Sequence, residues 1–284
     1  MTVRRSDFAG SWYPDNESDC RQLIEEFLEA DIAFPSTGKK TVGGIVPHAG
    51  WFFSGKIACH VIKCLKKDND PDTVVIFGRH LHTRSNNYIM KEGKWATPLG
   101  DLDIDQESAE RLISEFHFTV ETASRYEQDN TIELQLPFIK YFFPDAQILP
   151  IGVAPRVASL DIGERLAEIS GMMNRKMIFI GSTDLTHYGR NYAFTPKGEG
   201  KEAVEWVKNE NDTRVIDLML KMDAEGVIHE SLENSNACCA GAAGTAIAGA
   251  KILGAEKGEK LIYSTSYEIR PDTSFVGYVG VVFQ

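Results

Sequence analysis

Three short apolar runs, each delivered straight into titratable residues, constrain this chain more than any other feature. Gly43-Gly44-Ile45-Val46 runs into Pro47-His48-Ala49-Gly50, and Thr73-Val74-Val75-Ile76-Phe77-Gly78 into Arg79-His80-Leu81-His82. Met177-Ile178-Phe179-Ile180-Gly181 runs into Ser182-Thr183-Asp184-Leu185-Thr186-His187-Tyr188-Gly189. Unbroken apolar runs of this length fit strands buried on both faces. Pro47 ends the first run because proline cannot donate to a ladder. Parallel neighbours share one carboxyl edge, which is where open α/β sheets bind their ligands. Four of the seven histidines lie just beyond these three strand ends. A lone histidine there is more often structural, but repetition over three strands points to function. The reading places His48, Asp184 and His187, with His80 or His82, around one cleft.

The remaining pattern alternates helix and strand. Cys20, Leu23, Ile24, Phe27 and Leu28 form one helical stripe behind an N-cap at Asn16. Further helices are expected over Lys56 to Lys67, Asp105 to Phe116, Thr131 to Phe143 and Ala158 to Met173. Three more are expected over Gly198 to Met222, over Ala224 to Leu232, and from the small residues Asn236 to Gly244. Gln147 to Val153, Lys260 to Ser266 and Phe275 to Phe283 read as strands. Ala30 to Lys40 reads as a loop, and Tyr88 to Met90 with Trp95 to Gly100 as an excursion ending in a turn. The expectation is a single α/β domain over residues 1–284, with a largely parallel central sheet flanked by helices.

The formal net charge of −11 opposes nucleic-acid binding, which needs a basic face. No run has the apolar length of a membrane span and no signal peptide opens the chain. Cys20, Cys59, Cys64, Cys238 and Cys239 lack the spacing of a zinc knuckle or a redox pair, which fits a reducing, cytoplasmic compartment. Phosphate-loop, dinucleotide and nucleophile-elbow fingerprints are missing from the sequence.

Imidazole, carboxylate and thiolate are the common ligands of transition metals. Two histidines and a carboxylate with open positions make a non-haem iron site, and a thiolate brings zinc or copper into range. Cys238 and Cys239 read equally well as ligands or as small buried residues. A metal-free alternative makes Asp184 the partner that orients His187 as an acid/base dyad.

Four motifs in order resemble the Memo family, named for a mediator of ErbB2-driven cell motility. They are Ala9-Gly10-Ser11-Trp12-Tyr13-Pro14, Pro47-His48-Ala49-Gly50, Asn130-Thr131-Ile132-Glu133 to Leu136-Pro137, and Ser182 to Gly189. The resemblance implies a fold related to class III extradiol dioxygenases. It implies a pocket in which His48, Asp184, His187 and Cys238 match family positions. It further implies a divalent transition metal, iron first and copper or zinc as alternatives, and a small-molecule or peptide ligand. A radical-SAM protein and a second small protein are the partners it suggests.

The match is to a divergent prokaryotic-type member, and two departures stand out. The family histidine after the second strand falls on Leu81, flanked here by His80 and His82, and a further pocket histidine is replaced by Asn130. His80, nearer its strand, is expected to serve as the metal ligand with His48 and Cys238, while His187 and Asp184 are expected to serve catalysis. Cys238 rather than Cys239 is expected to face the cleft, since adjacent residues on a helix diverge by about 100°. The function expected is metal-dependent redox or small-molecule chemistry. A non-catalytic scaffold using the same cleft and a zinc-type hydrolase are the alternatives.

Overall fold

The computed structural model describes residues 2–30, 32 and 40–284. The loop expected over Ala30 to Lys40 falls largely outside them. At the centre, four parallel strands lie in the order Gly43–Val46, Met177–Ser182, Thr73–Gly78 and Gln147–Gly152. Every residue of these strands except Gln147 is buried, as their unbroken apolar pattern requires. They form the core of a nine-stranded sheet whose margins run antiparallel. Phe275–Phe283 pairs antiparallel with Gly43–Val46, with Gly258–Thr265 and, at its start, with His187–Tyr188. At the other margin Asn87–Met90 pairs antiparallel with Gln147–Gly152 and parallel with Phe118–Glu121. The sheet is therefore mixed, with its four central, doubly covered strands parallel and a further parallel pair at one margin.

Side chains alternate between the two covering layers. Ile45, Val75, Phe77 and Phe179 face the layer containing helices Leu160–Met172 and Ala240–Ile252. Val46, Val74, Ile76 and Ile180 face the layer containing Glu17–Leu28, Trp51–Asp68 and Leu136–Phe142. Ala240–Ile252 lies close on the sheet because both surfaces are small: a Cβ on Gly181 would meet the Ala242 carbonyl at 2.8 Å.

Local chemistry sets several boundaries. Asn16 caps the first helix by accepting from the Asp19 amide at 3.0 Å, and Asp105 caps Gln106–Glu115 by accepting from Ser108 at 3.1 Å. The helix expected from Lys56 begins earlier, at Trp51, directly behind Gly50. The reason is packing: Trp51 stacks on Phe138 at 4.1 Å, and its indole N–H donates to the Leu134 carbonyl at 3.0 Å. The long amphipathic stretch after Gly198 is also not one helix. It runs as Lys201–Trp206, a π-helical turn Val207–Asn211, and Asp212–Leu220. That turn carries Asn211 and Asp212 fully into the interior. A small sheet of Val3–Arg4, Lys94–Trp95 and Leu102–Asp103 was not expected; strands of two residues leave no periodicity to read.

Candidate metal centre and cleft

The register of the parallel strands brings their exits together. Val46 pairs with Ser182, and Phe77 with Gly181. Beyond this edge opens a cleft of about 710 Å³ whose walls include His48, His80, Asn130, Asp184 and His187. That volume is ordinary for a ligand pocket, roughly 300–1,000 Å³.

His48 sits at its floor, 2% exposed. Its backbone N–H donates to Asp184 Oδ1 at 2.7 Å, and its Nδ1 lies 3.0 Å from Ser182 Oγ. The Ser182 hydroxyl donates onward to the Thr131 carbonyl at 2.7 Å, so its oxygen is free to accept from His48 Nδ1–H. This assigns the proton to Nδ1 and turns Nε2 toward Cys238 Sγ, 3.3 Å away. Burial alone would strip the ring of charge, but the Asp184 carboxylate and the Cys238 sulfur outweigh it and lift the imidazole to about 9. Burial likewise opposes a charged Cys238; the Cys239 thiol and His48 nevertheless hold it well below the usual thiol value. Cys239 moves the opposite way, raised by burial and by the neighbouring Cys238. Both shifts run toward the charged forms, His48 toward gaining a proton and Cys238 toward losing one.

The cysteines depart from expectation. The helix begins at Ala240, with Cys239 in the cap position at φ −125° and ψ 54° and Cys238 in the turn before it, so the two do not diverge as neighbours on a helix would. Both are pinned to the Asp184 loop: Cys238 N–H donates to the Asp184 carbonyl at 3.1 Å, and Cys239 N–H to Thr183 Oγ1 at 3.0 Å. The two sulfurs stand 3.8 Å apart, and Cys239 Sγ lies 3.4 Å from His80 Nδ1. One ligating atom from each of His48, His80, Cys238 and Cys239 falls within 4.8 Å of all the others.

His80 is the histidine that the second strand contributes, through an unusual turn. Arg79 takes φ 80°, a left-handed conformation rare outside glycine, and so breaks the extended alternation after Gly78. Its amide donates to Thr131 Oγ1 at 2.7 Å. Its guanidinium pairs with Glu121 at 2.8 Å and Glu127 at 2.9 Å, and covers the Tyr88 ring at 3.9 Å. Leu81 and His82 pass to the far side of the cluster. There, with Cys238, they line a smaller pocket of about 250 Å³.

The dyad reading fails on geometry. Asp184 directs its carboxylate to His48, with Oδ2 3.9 Å from Nε2. His187 Nδ1 instead lies 3.2 Å from the Leu185 carbonyl, a distance at which the ring N–H donates, and Tyr192 meets the ring edge-on at 4.9 Å. His187 still faces the cleft, as a separate wall residue.

A family model described as Memo-like protein matches residues 4–282. The chain belongs to the Memo family. MEMO1 family proteins of Thermococcus onnurineus and Methanopyrus kandleri are 35% and 32% identical to it, covering 99% and 97% of both chains. A third, from Methanosarcina acetivorans, is 30% identical over the whole of both chains.

The Memo motifs meet at this cleft. The Ala9–Pro14 turn lends Ser11 and Trp12 to its lip. Glu133 holds that turn in place, accepting from the Asp7 and Phe8 amides at 2.9 and 2.7 Å and from the Tyr13 hydroxyl at 3.0 Å. Gln135 and Asn130 donate to the Pro47 and His48 carbonyls at 2.9 and 3.3 Å. Sequence reasoning missed Ser182 as the orienter of His48 and Glu133 as an anchor, and it chose Cys238 over Cys239 where the structure brings both sulfurs to the cluster. Adjacency to Cys238 was the only signal for Cys239. The other two fall inside quoted motifs, but only the fold shows the contacts that give them their roles.

Proposed function

We propose that this Memo protein binds a divalent transition ion through His48, His80 and Cys238 and uses it on a small molecule or peptide held in the cleft. The observation that carries the reading is the convergence of two imidazole and two sulfur donors within 4.8 Å, with both histidines also lining a ligand-sized cavity. The donor chemistry fits an ion: Ser182 orients the His48 ring with Nε2 toward Cys238, whose thiol is shifted toward the thiolate form that a metal needs. Iron is the first candidate by family likeness; the sulfur also suits zinc and copper. When bound, such an ion supplies charge to polarise a ligand oxygen or, if redox-active, an electron. Asp184 keeps His48 in place, and His187 is positioned on the wall to exchange a proton with an occupant.

The test is elemental analysis of anaerobically purified protein, followed by oxygen uptake with catechols. One ion per chain is expected, with weak or no ring opening because sulfur replaces part of an oxygen-and-nitrogen iron site. Protein free of metal after anaerobic purification, and unable to take up iron, zinc or copper, would sink the reading.

A further inference from the structure

We propose that Cys239 is a fourth ligand, so that the centre is a closed tetrahedral set of two nitrogens and two sulfurs that selects a borderline-soft ion of the zinc class. This rests on the metal-centre reading above and extends it to a residue outside the three ligands assigned there.

The argument is metrical. A tetrahedral ion with sulfur at about 2.3 Å and nitrogen at about 2.0–2.1 Å separates two sulfurs by about 3.8 Å and a sulfur from a nitrogen by about 3.5 Å. Here the two sulfurs stand 3.8 Å apart, Cys238 Sγ and His48 Nε2 3.3 Å, and Cys239 Sγ and His80 Nδ1 3.4 Å. Three edges of the tetrahedron are therefore already close to their metal-bound lengths, and the remaining pairs lie within 4.8 Å.

The scaffold holds that arrangement. Hydrogen bonds from both cysteine amides to Thr183 and Asp184 fix the two Cα positions against the strand exit that also fixes His48. Cys239 is 3% exposed, and His80 is the exposed member of the set. An ion here would be shielded by Cys239 from behind and face the cleft through His80. An incoming ligand would have to displace a donor or add as a fifth, and His80 is the donor placed to yield. Two thiolates with two imidazoles disfavour an open-position iron site and match the structural preferences of zinc.

The test is anaerobic titration of reduced apo protein with cobalt(II), reading the thiolate-to-cobalt charge-transfer absorbance per bound ion, with zinc affinity measured by chelator competition. Wild type should show the intensity of two thiolates. Cys239→Ser should retain one ion, lose about half of that intensity and bind zinc at least about tenfold more weakly. X-ray absorption of zinc-loaded wild type gives a reading that no variant's folding can confuse: two sulfurs and two nitrogens are expected. Unchanged intensity in Cys239→Ser, or a single sulfur in the wild-type spectrum, overturns the fourth-ligand proposal and leaves the three-ligand centre standing. Uptake of iron or copper but of neither cobalt nor zinc overturns the zinc-class, four-ligand proposal alone; wild type that takes up none of the four overturns the metal centre itself.

Discussion

Asp105 and Asp184 are both buried carboxylates at ends of the same central sheet, yet their surroundings push them in opposite directions. Asp105 sits at the amino edge. It accepts from Thr73 Oγ1 at 2.7 Å, from the Ser108 amide and hydroxyl at 3.1 and 2.8 Å, and from Arg175 at 2.6 Å. Burial works against its charge, but those donors together hold it below the usual carboxylate range. Asp184, at the carboxyl edge, accepts a single backbone N–H at 2.7 Å from His48; burial raises it even though the nearby imidazole pulls it down. At the amino edge the Asp105 carboxylate is met by protein donors, so its bonds stabilise the fold. The other keeps charges that only a proton or a cation can complete, which is where a functional site is expected.

The sharpest way to break this contrast is to damage each edge and ask what is lost. Asp105→Ala should cost about 3 kcal/mol, the low end for breaking a buried ion pair because Arg175 keeps some contact with water, while metal stoichiometry stays at the wild-type value. Urea unfolding and metal analysis of the same preparation decide it. A stable Asp105→Ala that has lost its ion would show that the amino edge serves the site after all.

His48→Ala is the complementary change. It should lower zinc or cobalt affinity by about 100-fold or more, exceeding the roughly 10–100-fold typical of losing an outer-shell partner. Chelator competition measures this directly. Affinity within a few-fold of wild type would remove His48 from the ligand set.

The two edges also differ in how far the sequence disclosed them. The carboxyl edge was legible because its histidines follow apolar runs whose burial is dictated by composition, so their shared edge follows from parallel pairing alone. The covering helices were legible from stripes such as Cys20-Ile24-Phe27. What stayed hidden depends on single torsions and long-range contacts. Arg79 at φ 80° decides that His80, not Leu81 or His82, joins the cluster, and its braces, Glu121 and Thr131, are more than forty residues away in the chain. The position of Cys239 follows from a helix that starts at Ala240 instead of at Asn236, a boundary that small residues leave undetermined. Phe275–Phe283 was legible as a strand but not its antiparallel pairing, which a continuous apolar run leaves open, while Asn87–Met90 and Phe118–Glu121 are short, partly exposed strands that carry no such run.

Ser182→Ala sharpens the comparison within the site, since it removes a support and leaves every ligand. The variant should keep one ion per chain but bind it about 10–100-fold more weakly, because His48 loses the acceptor that fixes its tautomer. Stability should fall by about 1 kcal/mol, as for one hydrogen bond. If affinity held while stability fell by that amount, Ser182 would be a packing residue and the tautomer would be set elsewhere.

Asp212 gives the smallest expected effect and the most specific signature. It is fully buried behind the His187 loop, accepting from the Thr186 amide at 3.0 Å and the Tyr263 hydroxyl at 2.8 Å. Burial dominates those bonds and pushes the carboxyl from 3.8 up to about 7. A raised folded value means that the folded protein keeps a proton which the unfolded chain releases. The resulting stabilisation is complete below the unfolded value of 3.8, declines as pH climbs, and is gone once pH passes about 7. Asp105 works in the reverse sense: its lowered value adds stability above the unfolded pKa that is lost as pH falls. In Asp212→Asn the side chain stays neutral and nearly isosteric, so the declining component disappears while that of Asp105 remains. Thermal melts from pH 4 to pH 8 should therefore show wild type losing ground to Asp212→Asn up to about pH 7 and a constant gap at pH above that. Parallel curves for the two proteins would mean that Asp212 ionises alike folded and unfolded, and that the carboxyl edge is less starved of donors than its geometry implies.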